Sequence, residues 1–224
     1  MTTAAEIKRF ANVLCERDPP WVAVKRRLVI RPSIHWMCGV HLEQSSWEKG
    51  MFRLSMMVHP LYSPWNKSSE VATGYEVSAP IDRGAPSGVW NSTWPNCGAL
   101  LADVVLDKLL PRIEVAATPG GFLAFLDETT IPSFGKARQK IFLYALTGRL
   151  DEALSYAQSY LHAPEWVHWH QRASPINRRR CERFRLILES GQEATNRALR
   201  RIERLSARQF GVDKWWQWEP LVGA

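Results

Sequence analysis

The chain has 224 residues, 46% hydrophobic and 23% charged, with a formal net charge of +7 and eleven tryptophans. That length suits one large domain or two small ones and lets the chain bury roughly 70% of its unfolded surface without disulfide or metal staples. No apolar run nears the ~20 residues that a helix needs to cross a bilayer, and the charged start "MTTAAEIKRFANVLCER" holds no leader-like apolar stretch, so the expectation is a soluble cytoplasmic protein from a bacterium with arginine-rich proteins.

Thr3 and Glu6 form a capping box ahead of an apolar stripe at Ile7, Phe10, Val13 and Leu14, which predicts a helix from about Ala4 to Glu16. The prolines of "RDPP" end it. A strand-rich block follows: "WVAVKRRLVI", "IHWMCGVHLE" and "MFRLSMMVHPL", joined by "RPS" and "QSSWEKG". Ile34, Trp36, Cys38, Val40 and Leu42 alternate with more polar neighbours, as do Phe52, Leu54, Met56 and Val58, the period-two pattern of half-buried antiparallel strands. "EVATGYEVSA" is a candidate fourth strand, and the proline- and glycine-rich residues 79–98 read as a long loop.

Beyond Gly98 the periodicity becomes helical. "ALLADVVLDKLLPRIEVAA" is kinked or split at Pro111, and "GGFLAFLDE" is a short helix. "FGKARQKIFLYALTGRLDEALSYAQSYLHAP" reads as two amphipathic helices meeting near Gly148. Two more run from about Asn177 to Glu189 and from Gln192 to Gln209. The fold class is therefore α+β: an N-terminal helix plus an antiparallel sheet of three to four strands, followed by a helical C-terminal half. Residues 1–130 and 131–224 form two regions packed as one unit.

Within the helical half, "YALTGRLDEALSYAQSYLHAP" resembles the second half of a tetratricopeptide repeat, with Tyr144, Gly148, Ala153, Ala157 and Pro164 at its aromatic, turn, small-residue and proline positions. A groove of that kind needs stacked repeats, so a lone hairpin near residues 137–164 implies a packing unit. The stretch "HLEQSSWEKGMFRLSMMVHPLY", with Gln44, Ser45, Ser46 and Phe52 to Pro60, resembles an uncharacterised bacterial domain family. That resemblance implies an α+β fold and no reaction.

Three constellations carry chemistry. Pairing Leu42 with Phe52 would set His41 opposite Arg53, Met37 opposite Met57 and His35 opposite His59. Pairing Ile30 with Ile34 would add Val29 opposite His35, Arg27 opposite Met37 and Ala23 opposite His41, bringing Lys25 and Arg27 to the same face. Such a polar sheet face (His35, His41, Arg53, His59) is either an open site for a proton or metal, or a covered face with incidental histidines. A one-residue slip would turn every side chain to the other face. In "EWVHWHQR", His168 and His170 alternate with Trp166 and Trp169, with His162 upstream. The expected reading is an aromatic loop packed over the helical hairpin, with metal binding by His-x-His as the alternative.

The third constellation is arginine. Between Arg172 and Arg208 stand eleven arginines, no lysine or aspartate, and four glutamates, so this segment carries +7, equal to the whole chain's net charge. Ala198, Leu199, Ile202 and Leu205 are the expected inner stripe of the last helix, with Arg197, Arg200, Arg201, Arg204 and Arg208 around the rest. On the helix before it, Cys181, Phe184, Ile187 and Leu188 face inward and Arg178 and Arg179 outward. Arg200, Arg204 and Arg208 form one ridge at i, i+4, i+8, and like charges so spaced destabilise a helix by ~0.2–0.5 kcal/mol per pair. Guanidinium forks suit carboxylate or phosphate; salt bridges to acids elsewhere in the chain are the plainer account. Trp215, Trp216 and Trp218 follow at once, and at least one of them is expected to fold back as a lid on the helical half.

No phosphate-binding, dinucleotide, nucleophile-elbow or zinc-protease motif occurs. Cys15, Cys38, Cys97 and Cys181 are scattered with no C-x-x-C pair, so neither a metal nor a cofactor is expected. The leading expectation is a non-enzymatic interaction module, of toxin-neutralising or adaptor type. It would grip an acidic protein through Arg178, Arg179, Arg197, Arg200, Arg201, Arg204, Arg208, Trp215, Trp216 and Trp218. The alternatives are nucleic-acid binding by the arginine cluster, with bases stacked on the terminal tryptophans, and an enzyme using the histidine-bearing sheet face.

Overall fold

The computed structural model describes residues 4–17, 20–44, 50–62, 73–77, 89–128, 133–162 and 175–221. Helix α1 spans Ala4–Arg17 and buries Ile7, Phe10, Ala11 and Leu14, close to the predicted stripe. The strands are β1 (Trp21–Val24), β2 (Arg27–Ile30), β3 (Ser33–Ile34), β4 (Trp36–Gln44), β5 (Met51–Pro60), β6 (Thr73–Val77) and β7 (Trp90–Asn91). The curled antiparallel sheet runs β1-β2-β4-β5-β6, with β7 also paired to β5.

Two pairings differ from the sequence reading. "WVAVKRRLVI" is not one strand but a hairpin, Trp21 opposite Ile30 and Val24 opposite Arg27, turning at Lys25 and Arg26 with Lys25 in the left-handed region (φ 56°). Lys25 therefore leaves the sheet face and Ala23 stands opposite Leu28, not His41. Across β2 and β4, Arg27 faces His41 and Val29 faces Gly39. Gly39 allows that approach: a Cβ there would fall 2.0 Å from the Leu28 carbonyl oxygen, and its φ of 151° suits glycine.

Between β4 and β5 the register is two residues off the expected one. Leu54, not Phe52, stands opposite Leu42, and Phe52 is opposite Gln44, because β4 continues to Gln44 before turning. Burial of Phe52 between Phe10 and Trp90, ring centroids 5.8 and 6.3 Å away, holds this register. An even shift keeps every side chain on its predicted face but changes every partner. His41 is opposite Ser55, Glu43 opposite Arg53 and Met37 opposite His59.

The helical part comprises α2 (Cys97–Val104), a π-helical turn (Val105–Leu109), α3 (Leu110–Ala116), α4 (Pro119–Glu128), α5 (Ser133–Leu146) and α6 (Leu150–His162). Helices α7 (Pro175–Glu189) and α8 (Gln192–Phe210) follow. Pro111 does not split the run from Cys97 to Ala116. It stands at the start of α3 directly after the π turn, whose wider loop accommodates a residue with no amide hydrogen to give. No single described helix is long and apolar enough to cross a membrane.

In the α5–α6 hairpin Gly148 turns at φ 79°, Ala153 and Ala157 are buried, and the Tyr144 and Tyr156 rings lie 5.4 Å apart. These contacts close the hairpin; Pro164 lies outside the described residues. One continuous core runs from Ile7 and Phe10 of α1 through the inner sheet face (Trp36, Val40, Leu42, Leu54) to Phe142, Phe184 and Leu199. The two halves of the chain share it. The other sheet face has its own smaller core, Val24, Val29, Met37 and Met57 against Leu61, Ala207, Phe210 and Val212.

Candidate interaction surface

The histidine face is covered at its His35 and His59 end, while His41 is half-buried and Arg53 is exposed at the other. The end of α8 and the segment after it lie on it, and His35 and His59 are both 0% exposed. The four predicted residues do not converge: His59 pairs with Met37, His41 with Ser55 and Arg53 with Glu43, while His35 stands outside the β4–β5 ladder at φ 55°. His59 lies against the Phe210 ring, centroids 4.4 Å apart, and neither ring nitrogen has a protein partner. Arg27 is buried with its guanidinium 5.4 Å from the same Phe210 ring, and burial lowers its pKa. His41 is half-buried; burial, then the charge of Arg27, lowers its pKa. Among the described residues no three His, Cys, Asp or Glu side chains converge as metal ligands. His168 and His170 lie outside the described residues.

The buried thiols are inert. Burial pushes Cys38 and Cys181 up to about 12 and Cys97 up to about 11, so none supplies a thiolate near neutrality.

Burial first, then the positive charges of Arg27 and Arg138, hold His59 down at about 3. An unfolded chain titrates its histidines near 6.5. Above that pH the two states bind the same number of protons. Below it the unfolded state gains one first, so His59 makes the fold lose stability as pH falls from ~6.5 toward ~3. At pH 4.5 the expected loss is about 2–3 kcal/mol. His59→Phe is expected to remove that part of the decline between pH 7 and 4.5 in urea unfolding; an unchanged slope would show that His59 does not stay neutral in the fold.

A residue that the sequence reading passed over organises this seam. Glu203, in the middle of the arginine run, is 0% exposed. Its Oε1 accepts from His35 Nδ1 at 2.8 Å and its Oε2 from Trp216 Nε1 at 3.3 Å. The buried stripe of α8 is Thr195, Leu199, Glu203, Ser206, Ala207 and Phe210. Of the expected inner residues only Leu199 is buried; Ala198 and Ile202 are half-buried and Leu205 is 55% exposed. The helix is rotated so that its end covers the second sheet face. The signal was spacing: Glu203 lies at i+4 from Leu199 and i−7 from Phe210, on their stripe.

Gly211 ends α8 at φ 77°, with the amides of Gly211 and Val212 bonded to the Arg208 and Ala207 carbonyls, a Schellman close. The chain turns back, Trp215 N donating to Val212 O at 2.9 Å, and β8 (Trp216–Gln217) pairs in parallel with β3, Ser33 opposite Trp216. Trp215 sits in a turn rather than an extended tail, so it shares the second core with Trp216. Trp218 packs on the main core, edge-on to His35 at 5.2 Å. All three rings are half-buried and lie on the sheet seam, not on the helical half alone.

The predicted arginines are all on the outside. Arg178, Arg179, Arg197, Arg200, Arg201, Arg204 and Arg208 are exposed, as are Arg180 and Arg183. The four glutamates of the segment do little to offset them. Glu182 pairs with Arg178 at 3.1 Å, Glu189 with Arg185, Glu193 with Arg197, and Glu203 is buried on His35. Among the described residues Arg179, Arg180, Arg183, Arg200, Arg201, Arg204 and Arg208 have no ion-pair partner. Between α7 and α8 lies a cleft of ≈ 340 Å³. Phe142, Phe184, Ile187 and Ile202 form its apolar lining, with Arg180, Arg183, Leu205 and Gln209 also on its walls.

No protein-family model, curated protein or solved structure matches the chain.

Proposed function

We propose that this chain is a non-enzymatic protein-interaction module, of bacterial toxin-neutralising or adaptor type, that binds an acidic protein through the outer faces of α7 and α8. One observation carries this reading: seven exposed arginines on two adjacent helices have no carboxylate partner among the described residues. Arg200, Arg204 and Arg208 repel one another along one ridge, and each such pair costs an isolated helix a few tenths of a kcal/mol. An incoming carboxylate relieves that repulsion and takes up the guanidinium forks bidentately. Salt bridges within the chain, the plainer account of the cluster, involve only Arg178, Arg185 and Arg197 of these two helices among the described residues.

The terminal tryptophans favour protein over single-stranded nucleic acid. A stacking platform needs open ring faces, whereas Trp216 and Trp218 are engaged with Glu203 and His35. An apolar cleft beside the arginines serves a protein side chain better than a phosphate backbone.

The test is co-purification with the proteins encoded beside its gene, at low and high salt. Reversing Arg200, Arg204 and Arg208 to glutamate is expected to leave the fold intact, since all three are exposed, and to weaken partner binding at least tenfold. Undiminished binding by the triple variant would sink the reading.

A further inference from the structure

We infer that the cleft between α7 and α8 is a docking groove for a short acidic segment of another protein, which inserts one bulky apolar side chain between the helices. This deepens the reading above and rests on it: the arginine face supplies attraction, and the groove supplies the address.

The lining of the groove does not look like a packing defect. Packed helices commonly approach to about 8–10 Å between axes, their side chains interlocking. Here α7 and α8 leave ≈ 340 Å³ between them, near the lower limit of the ~300–1,000 Å³ typical of binding clefts. Its floor is apolar: Phe142 and Phe184, ring centroids 4.4 Å apart, with Ile187 and Ile202. Leu205 on its wall is 55% exposed, although arginines surround it on its helix. An aliphatic side chain left in water on a groove wall, rather than over the core, is available to an apolar guest, whose burial beside it is favourable.

Charge selects the guest. Arg180 and Arg183 stand on the α7 wall of the groove. On α8, Arg201 and Arg208 lie at i−4 and i+3 from Leu205, so they flank it on the same helical face. None of these four has an ion-pair partner among the described residues. An apolar floor between two unpaired basic rims is complementary to a leucine, isoleucine, methionine or phenylalanine with aspartate or glutamate beside it. It is not complementary to a basic segment, and an uncharged apolar one would leave the arginines unused. Burial of an apolar anchor with arginine at its rim is also the composition of interface hot spots.

The experiment selects random twelve-residue peptides displayed on phage against the full-length protein at ~0.1 M salt, where charges within about 10 Å still act. The expected winners carry one bulky apolar residue within two positions of an aspartate or glutamate. As synthetic peptides they should lose at least tenfold in affinity when that residue becomes alanine, and a similar factor against Leu205→Asp. Arg183→Glu, which leaves the apolar floor intact, should also weaken them.

Other outcomes overturn the inference in distinguishable ways. Winners that are acidic but indifferent to the apolar residue and to Leu205→Asp remove the groove and leave the arginine face as the binding surface. Winners without acidic residues, or no winners, remove both. A dimer in sedimentation velocity that Leu205→Asp disperses would make the groove a contact between copies of this chain. Tight binding of a single-stranded oligonucleotide that outcompetes the peptides would assign the arginines to phosphate.

Discussion

Replacing Glu203 by alanine is expected to destabilise the protein by about 3–5 kcal/mol, the usual cost of removing one partner from a buried polar or ionic pair. The carboxylate is 0% exposed and takes two donors from two different segments, His35 from the turn before β4 and Trp216 from the tail. Alanine would strand the fully buried His35 donor, at about 1–3 kcal/mol, take the acceptor from the half-buried Trp216 and leave a void beside both rings. His35 has little room to adapt, since it is held at φ 55° and its Nε2 has no protein partner. Urea unfolding followed by tryptophan fluorescence measures the effect, and the fluorescence should change even in the folded state because Trp216 loses its acceptor. Glu203→Gln keeps the shape and one acceptor and should cost less than half as much. A loss below about 1 kcal/mol for Glu203→Ala would mean that the seam is wetter than its burial indicates.

Deleting residues 214–224 is expected to cost about 3–4 kcal/mol while leaving peptide affinity, per folded molecule, within about twofold. The tail contributes the β3–β8 ladder, the Trp216–Glu203 hydrogen bond and three half-buried rings. Its loss uncovers His35 and Glu203 and exposes part of the core that Val24, Met37 and Met57 form with Phe210. The groove between α7 and α8 contains no tail residue. A lid and an anchor therefore give opposite results: a lid costs stability, an anchor costs binding. A truncated protein as stable as the full chain but unable to bind the selected peptides would return the tryptophans to the partner surface.

Much of the architecture is written in local pattern. The capping-box helix, the alternation in β4 and β5, the Gly148 hairpin and the two arginine helices follow from periodicities of 3.6 and 2 and from glycine and proline as punctuation. Face assignment in the sheet also survived, because alternation determines faces without reference to partners. Partners did not survive: the Leu42–Phe52 pairing was two residues off, since the end of β4 depends on Phe52 finding Phe10 and Trp90, which are far away in sequence. The hairpin at Lys25 was hidden for another reason. A non-glycine residue at positive φ leaves no turn signature in the sequence.

The candidate surface divides in the same way. That eleven arginines faced four glutamates was legible by counting, and helical spacing placed them on an outer face. Which of them lack partners was not legible, because a salt bridge is a matter of distance; that three glutamates take only Arg178, Arg185 and Arg197 had to be seen in three dimensions. The groove is invisible in sequence because it is made by the angle between two helices and by Phe142 from a third. The sequence by itself determined the α+β class, the location of the charge and the outward direction of the arginines, because each depends only on composition and local period. Tertiary structure alone decided that His35 and His59 are closed off, that Glu203 is a core residue and that the terminal tryptophans cover the seam. Those outcomes turn on how α8 is rotated against the sheet, and that rotation is fixed by packing between residues more than a hundred positions apart.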